Sequence, residues 1–498
     1  MLCRLLRSLR LVRKDFIPTN LNLFCVLLLL ASATAFATSA EKTTNPNPCN
    51  LSEEEVQGLN HDASTEASAL DEYIATISSM VHQERFDALD CIGDRVRANK
   101  ERFPGGQWKI HDLYLGLYEP EPGKHATEED WQDLMQLLQR WVRTHPKSVT
   151  ARTALAWAWI NYAGEARGDG YADTVSEKGW KLYEDRTAEA EKSLEDAAAL
   201  PVKCPESYLV KLNIAQNQSW GKERILALFS EASAFEPGYY YYGRVVAMLL
   251  EPKWFGGPGD TAKFLQDAAD HIGGKEGDAY YFLVASDKGV VCGCEDQPKL
   301  SLDRVERGYD AVEQIYGVSM TNLNQLAYLT LHLGNKPDII LADKTFQRID
   351  TQWTKYTWDD EKTFEQTKTW VRQMVPLMKE VMAEEGEAQA NSKTPDGARY
   401  QLSIEKAYKE MLYECVRSDG GGVSQWEGEF ESLIRVGANG SVEEGRLNDR
   451  GPVVVCMYKK MHSSHEDKSP LFPPPPTGSY WVQIDLDWGE FAPAAAER

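Results

Sequence analysis

Three proline-marked helix starts in the middle of the chain constrain its fold most. HPKSVTARTALA from His145, CPESYLVKLNIA from Cys204 and EPGYYYYGRVVA from Glu236 each place a proline shortly before an Ala-rich or aromatic apolar run. Proline is tolerated in the first turn of a helix, where its missing N–H would be unpaired anyway, and disrupts a helix interior. Each therefore marks a new helix. Pro205 and Pro237 lie 32 residues apart. Amphipathic helices that return at such an interval cannot bury their apolar faces alone, and must stack on their neighbours.

The flanking segments carry the same period. Leu70, Ile74, Ile77 and Val81 recur at helical spacing, as do Trp131, Leu134, Leu138, Trp141 and Val142. Two helices are expected over roughly Val149–Arg167 and Val175–Leu200, the first with Leu155, Trp159, Tyr162 and Ala166 on one face. Ile225, Leu228, Phe229 and Ala232 give a one-sided apolar stripe. Glu251–Asp260 (EPKWFGGPGD) reads as a loop. Leu323, Leu326, Ala327 and Leu331 pair, across an LGNKPD turn, with Ile339, Ala342, Phe346 and Ile349. A long helix runs from about Asp360 to Glu384. Glu385–Ala398 is polar, small and aperiodic, and reads as a linker.

The last hundred or so residues differ in kind. Ile404, Ala407, Tyr408, Met411, Leu412 and Cys415 form a helical stripe. Phe430–Val436 is strand-like, and Asn439–Gly440 is a hairpin signal because both residues tolerate positive φ. Val454, Met457, Tyr458 and Met461 suggest a short helix. Tyr480, Val482, Ile484, Leu486 and Trp488 alternate with polar or aromatic residues at period two, as in a half-buried strand. The expected class is mainly α: a tetratricopeptide-like α-solenoid followed by a small α+β domain. The expected organisation is a leader over 1–40, a polar tether over 41–66, helical repeats over 67–384, a linker over 385–398 and the α+β part over 399–498.

The formal net charge is -22, with Arg4, Arg7, Arg10, Arg13 and Lys14 crowded at the start, so the remainder is more acidic still. Phosphate backbones and anionic lipid would be repelled, which disfavours nucleic acid and peripheral membrane binding. The basic start leads into LNLFCVLLLLASATAFA and small residues, the pattern of a secretory signal cleaved after Ala37 or Ala40. The alternative is an uncleaved anchor. Export to the periplasm or beyond is the expected localisation. Beyond the leader stand Cys49, Cys91, Cys204, Cys292, Cys294, Cys415 and Cys456, an odd set whose pairing the sequence leaves open. Cys415 lies on the stripe of its helix and Cys456 beside the stripe of the next, so a bridge between them would staple a small core. Two buried thiols are the alternative.

The segment from about Glu101 to Ala269 resembles a bacterial family of uncharacterised proteins with tetratricopeptide-like helical folds. The matching pieces are ERFPGGQWK, HPKSVTARTALAWAWINYAGEARGDGYADTVSEKGW, CPESYLVKL and EPKWFGGPGD. That resemblance implies a helical-repeat fold and no particular chemistry. FESLIRVGANGSVEEGRL, the helix containing Cys456 and LFPPPPTGSYWVQIDL resemble the C-terminal domain of TonB-type energy transducers. This second resemblance implies a small sheet that binds envelope proteins, partly by strand addition. The long Pro-rich spacer of such transducers is missing here.

No H-E-x-x-H, G-x-S-x-G or phosphate-binding glycine loop occurs, and nothing implies a cofactor. His462 and His465 in HSSHED could ligate a metal but read better as part of a solvated loop. Cys292–Gly293–Cys294 could be a redox pair, a metal site or a disulfide. The aromatic-rich stretch nominates Trp220, Tyr239, Tyr241 and Trp254 for partner binding, since aromatics are enriched at interfaces; a core role is the competing reading. The expectation is a non-enzymatic scaffold that binds a protein or peptide of the cell envelope. The alternatives are an envelope enzyme with a site between the domains, or a TonB-like transducer.

Overall fold

Capping side chains fix most helix starts. Ser52 and Thr127 form reciprocal capping boxes with Glu55 and Asp130, Ser148 accepts from the Ala151 N–H, and Pro205 occupies the first turn of its helix. In the computed structural model the described residues are 47–121, 126–168, 170, 172–287, 300–333, 338–418, 429–447 and 452–487. They are mainly helical, with one small antiparallel sheet. The leader, the Cys292/Cys294 pair and Trp488 lie outside the described residues. No helix among the described residues is long and apolar enough to cross a membrane.

The first helices are α1 (Glu53–Gly58), α2 (Ala69–His82), α3 (Phe86–Ala98) and α4 (Lys109–Leu115). Then come α5 (Glu128–Thr144), α6 (Val149–Arg167), α7 (Glu177–Ala198), α8 (Pro205–Asn217), α9 (Lys222–Phe235), α10 (Tyr241–Leu249), α11 (Asp260–Ile272) and α12 (Gly274–Ala285). After these follow α13 (Leu302–Tyr316), α14 (Met320–His332), α15 (Ile339–Ile349) and α16 (Lys355–Trp358). From α5 to α15 each helix packs on the next in sequence, and α6, α8, α10 and α12 also pack in succession.

The segment 101–118 lies across this succession. Trp108 packs on Tyr239 at 5.1 Å, His111 on Tyr241 at 3.7 Å and Tyr118 on Trp157 at 5.2 Å. The turn at Gly105–Gly106 has φ of +84° and +86°, which favours glycine. It reaches α13 and α14: the Asn322 amide donates to the Gly105 carbonyl at 2.8 Å, and the Gly105 N–H to that of Tyr316 at 3.2 Å. Arg102 is sandwiched between the rings of Trp108 and Tyr316 at 3.9 and 4.7 Å. Faces of α6, α8 and α10 that an open repeat array would leave to a partner are thus covered by the chain itself.

Helix α17 (Glu361–Ser392) extends past the expected end at Glu384, and two residues separate it from α18 (Pro395–Ser418). The stretch read as a linker is therefore helical on both sides of a break at Lys393–Thr394. The first half of α17 buries Phe364 near Phe346 and Trp358. Its second half lies on the sheet, where Ala388 packs with Leu433 and Trp481. The sheet has the order β2 (Val442–Leu447), β1 (Glu429–Val436), β3 (Tyr480–Asp487). Gly440 in the hairpin turn has φ +85°, whereas Asn439 does not take positive φ, so only the glycine half of the Asn–Gly signal is used. Tyr480, Val482, Ile484 and Leu486 are buried, sharing a core with Ile404, Tyr408 and Leu412 of α18 and Met457 of α19 (Pro452–Asp467). His462 and His465 are exposed on α19, not in a loop, and His462 pairs with Glu466 at 3.3 Å.

Two disulfides are formed among the described residues. Cys415–Cys456 ties α18 to α19, as the stripe positions suggest, and Cys49–Cys91 ties the segment before α1 to α3. Replacing Cys415 and Cys456 together by serine should lower stability by about 4 kcal/mol, because the bridge closes a loop of some forty residues in the unfolded chain. Urea unfolding under non-reducing conditions measures it. An unchanged midpoint would mean that the bridge contributes nothing.

Candidate functional site

Tyr239 and Tyr241 belong to the interior. They are 0% and 4% exposed, so a partner at the surface does not reach them, and their nomination as partner-binding groups is corrected. The cause is local. Four consecutive tyrosines enter α10 just where 101–118 crosses it, and all four are buried. The Tyr240 hydroxyl donates to that of Tyr241, the Tyr242 hydroxyl to the Pro205 carbonyl, and the Tyr239 hydroxyl to Glu206, in the first turn of α8 and itself fully buried. Its Oε1 accepts from the Tyr239 hydroxyl and from His111 Nδ1 at 2.7 Å, and its Oε2 accepts from Trp157 Nε1 at 2.7 Å.

Beside this network Asp112 is 3% exposed, and its Oδ2 has no hydrogen-bond partner among the described residues. Burial pushes its carboxyl up to about 7, against the opposing pull of His111 and Arg244. Cys204 is the free cysteine among the described residues. It is buried, meets the Tyr114 hydroxyl at 3.4 Å, and its thiol is pushed up by burial, so it is not poised as a nucleophile. A charged pair inside IHDLYLGL is the sequence signal that could have flagged this cluster.

Trp220 is half-buried, with the Arg224 guanidinium 3.2 Å from its ring. Trp254 is 41% exposed in the loop before α11. The structure thus brings Tyr239 and Tyr241 together at 5.1 Å inside the protein and leaves Trp254 at the surface.

Open clefts lie elsewhere among the described residues. The first, about 650 Å³, is bounded by α5 and α7 over α6. Gln132, Gln136 and Gln139 stand along α5, Asp185 and Glu189 along α7, and Trp159 of α6 lines the cleft between them. The amides of Gln136 and Gln139 have no hydrogen-bond partner, and Asp185 and Glu189 no ion-pair partner, among the described residues. Arg186 is not free to neutralise these acids. It donates to the Tyr162 carbonyl at 2.7 Å and pairs with Glu128 at 3.3 Å. The second cleft, about 660 Å³, lies between α9 and α11 and is mostly apolar. None of the described clefts is lined by His111, Asp112 or Glu206.

Glu380, Glu384 and Glu444 bring three carboxylates together. The Arg446 guanidinium already sits among them at 2.7 to 3.3 Å, so the group is an ion-pair network and is poorly suited to a cation.

No family, no curated protein and no solved structure matches this chain.

Proposed function

We propose that this chain is an exported interaction protein. A tetratricopeptide-like stack of helix pairs holds an extended basic peptide in the α5–α7 cleft, and a small TonB-C-terminal-like part docks a second envelope partner. The observation that carries this reading is the lining of the cleft. Each glutamine amide offers a donor and an acceptor that match a peptide group. Unpaired Asp185 and Glu189 attract lysine or arginine, and the Trp159 ring adds a surface for a cation or an aliphatic stem. The two disulfides agree with an oxidising, exported setting.

Strand addition has limited room. The β3 carbonyls of Trp481 and Gln483 already accept from Asn391 and Gln401, and the Val442 N–H of β2 donates to Ser464. The second partner is therefore assigned to the outer face of α19, where Val455 and Tyr458 are 45% and 55% exposed. An envelope enzyme is the second reading, drawn from the buried His111–Glu206 pair and the raised Asp112.

Peptide-display selection against the full chain should return sequences rich in lysine and arginine. A labelled peptide so selected should lose at least about tenfold in affinity on Asp185→Asn with Glu189→Gln, and weaken as salt is raised. Equal binding to the double variant would refute the assignment of the cleft.

A further inference from the structure

We infer that the groove between α9 and α11 is a second, separate site, which takes a medium-chain carboxylic acid, an apolar chain ending in one carboxylate, with the carboxylate at His271.

The chain follows from the walls. Leu226 and Phe229 of α9 line the groove with Phe264 and Ile272 of α11 and with Leu250 after α10. Phe229 and Phe264 meet edge to face at 4.9 Å. An apolar chain laid along these side chains leaves water for apolar contact, which is favourable. The volume of about 660 Å³ falls inside the range of small-molecule sites, roughly 300–1,000 Å³.

The sign of the head group follows from the ionisable side chains. The bases Lys222, Lys263 and His271 and the acids Asp260 and Asp267 line the groove. Lys222 is paired with Asp260 at 2.5 Å and Lys263 with Asp267 at 2.6 Å, and Asp260 also accepts from the Gly257 N–H at 2.7 Å. His271 is left over: it is exposed, and its ring has no hydrogen-bond or ion-pair partner among the described residues. A ligand amine would have to displace a lysine from its carboxylate. A ligand carboxylate meets an uncommitted imidazole, and the hydroxyls of Ser230 and Ser233 in the same lining have no partner among the described residues either.

The groove is also polar at one end. Lys222 opens α9 and Asp260 opens α11, so their ion pair joins the two helix starts, and the Phe229–Phe264 contact follows further along both. The helices thus run side by side in the same direction, with Ser233 and His271 in their later turns. A carboxylate held there at the exposed His271 keeps water on its outer side, whereas deeper among the apolar walls it would lose that water unfavourably. The net charge of -22 repels an anion at long range, but salt screens that field beyond about 10 Å, and a hydrogen-bonded His271 lies well inside this distance.

The test titrates the full chain calorimetrically with decanoate, decan-1-ol and decylamine, all below micelle-forming concentrations. Decanoate should bind one per chain, and the alcohol and the amine at least about tenfold more weakly, because neither gives His271 and the serines a charged acceptor. His271→Ala should weaken decanoate about tenfold and leave decan-1-ol unchanged, a split that a merely structural histidine would not produce. Ala234→Trp, at an exposed position of the groove wall, should abolish binding of both. Melting curves confirm that each variant is folded. Asp185→Asn with Glu189→Gln should bind decanoate as the parent does, so this site and the peptide cleft stand or fall separately. The inference is overturned if decanoate does not bind, if the alcohol or the amine binds as tightly, or if His271→Ala leaves decanoate unchanged or weakens the alcohol equally. It is overturned as well if Ala234→Trp binds decanoate normally, or if the α7 double variant weakens it, which would place the acid in the other cleft.

Discussion

Glu206→Ala should lower the stability of the protein by about 5 kcal/mol. The fully buried carboxylate accepts from Tyr239, His111 and Trp157, which belong to three different parts of the chain. Truncation leaves two buried donors and one partly buried donor unpaired, each unfavourable by roughly 1–3 kcal/mol, and opens a cavity as well. The loss approaches the whole stability of an ordinary domain. Glu206→Gln keeps the shape and one acceptor but turns an N–H₂ group toward existing donors, so a loss of about 2 kcal/mol is expected. Urea unfolding followed by tryptophan fluorescence measures both. A loss below about 1 kcal/mol for alanine would mean that the network does not hold α4, α6, α8 and α10 together.

Asp112 should make stability fall as pH rises from about 4 to about 7. Its buried carboxyl titrates near 7, while in the unfolded chain it titrates near 4. As pH rises the unfolded state loses its proton first and is favoured. The contribution of the neutral acid is therefore complete below the unfolded value and gone above the folded one. About three pH units correspond to roughly 4 kcal/mol. Asp112→Asn has nearly the same shape and no such dependence. The variant should exceed the parent by about 4 kcal/mol near pH 7.5, and by no more than about 1 kcal/mol near pH 4.5. Parallel pH profiles for the two proteins would show that Asp112 is not held neutral.

The helices are legible in the sequence where burial is one-sided. Ile339, Ala342, Phe346 and Ile349, buried along one face, mark α15, and the period-two run at Tyr480 marks β3. The segment after Glu384 reads as a linker because only Ala388 and Gly397 there are buried; without an apolar stripe, a helix rich in Glu, Ala and Gln shows no period. The HSSHED stretch reads as a loop for the same reason, being exposed on α19 apart from Ser464. The tyrosines mislead differently. Composition marks an aromatic cluster, but whether it faces a partner or a neighbouring segment depends on 101–118 arriving from over 120 residues away in sequence. Glu206 is hidden because an acid after Pro205 reads as an ordinary helix-start residue favoured by the dipole. The clefts are not readable at all, since each is made by side chains from several helices.

Amide hydrogen–deuterium exchange on the full chain, with and without a selected basic peptide, shows whether the α5–α7 cleft holds the peptide. Added protection is expected over Glu128–Thr144 and Glu177–Ala198, with the α9–α11 groove and the sheet unchanged. Protection confined to α18, α19 or the sheet, with α5 and α7 exchanging as in the free protein, would contradict it.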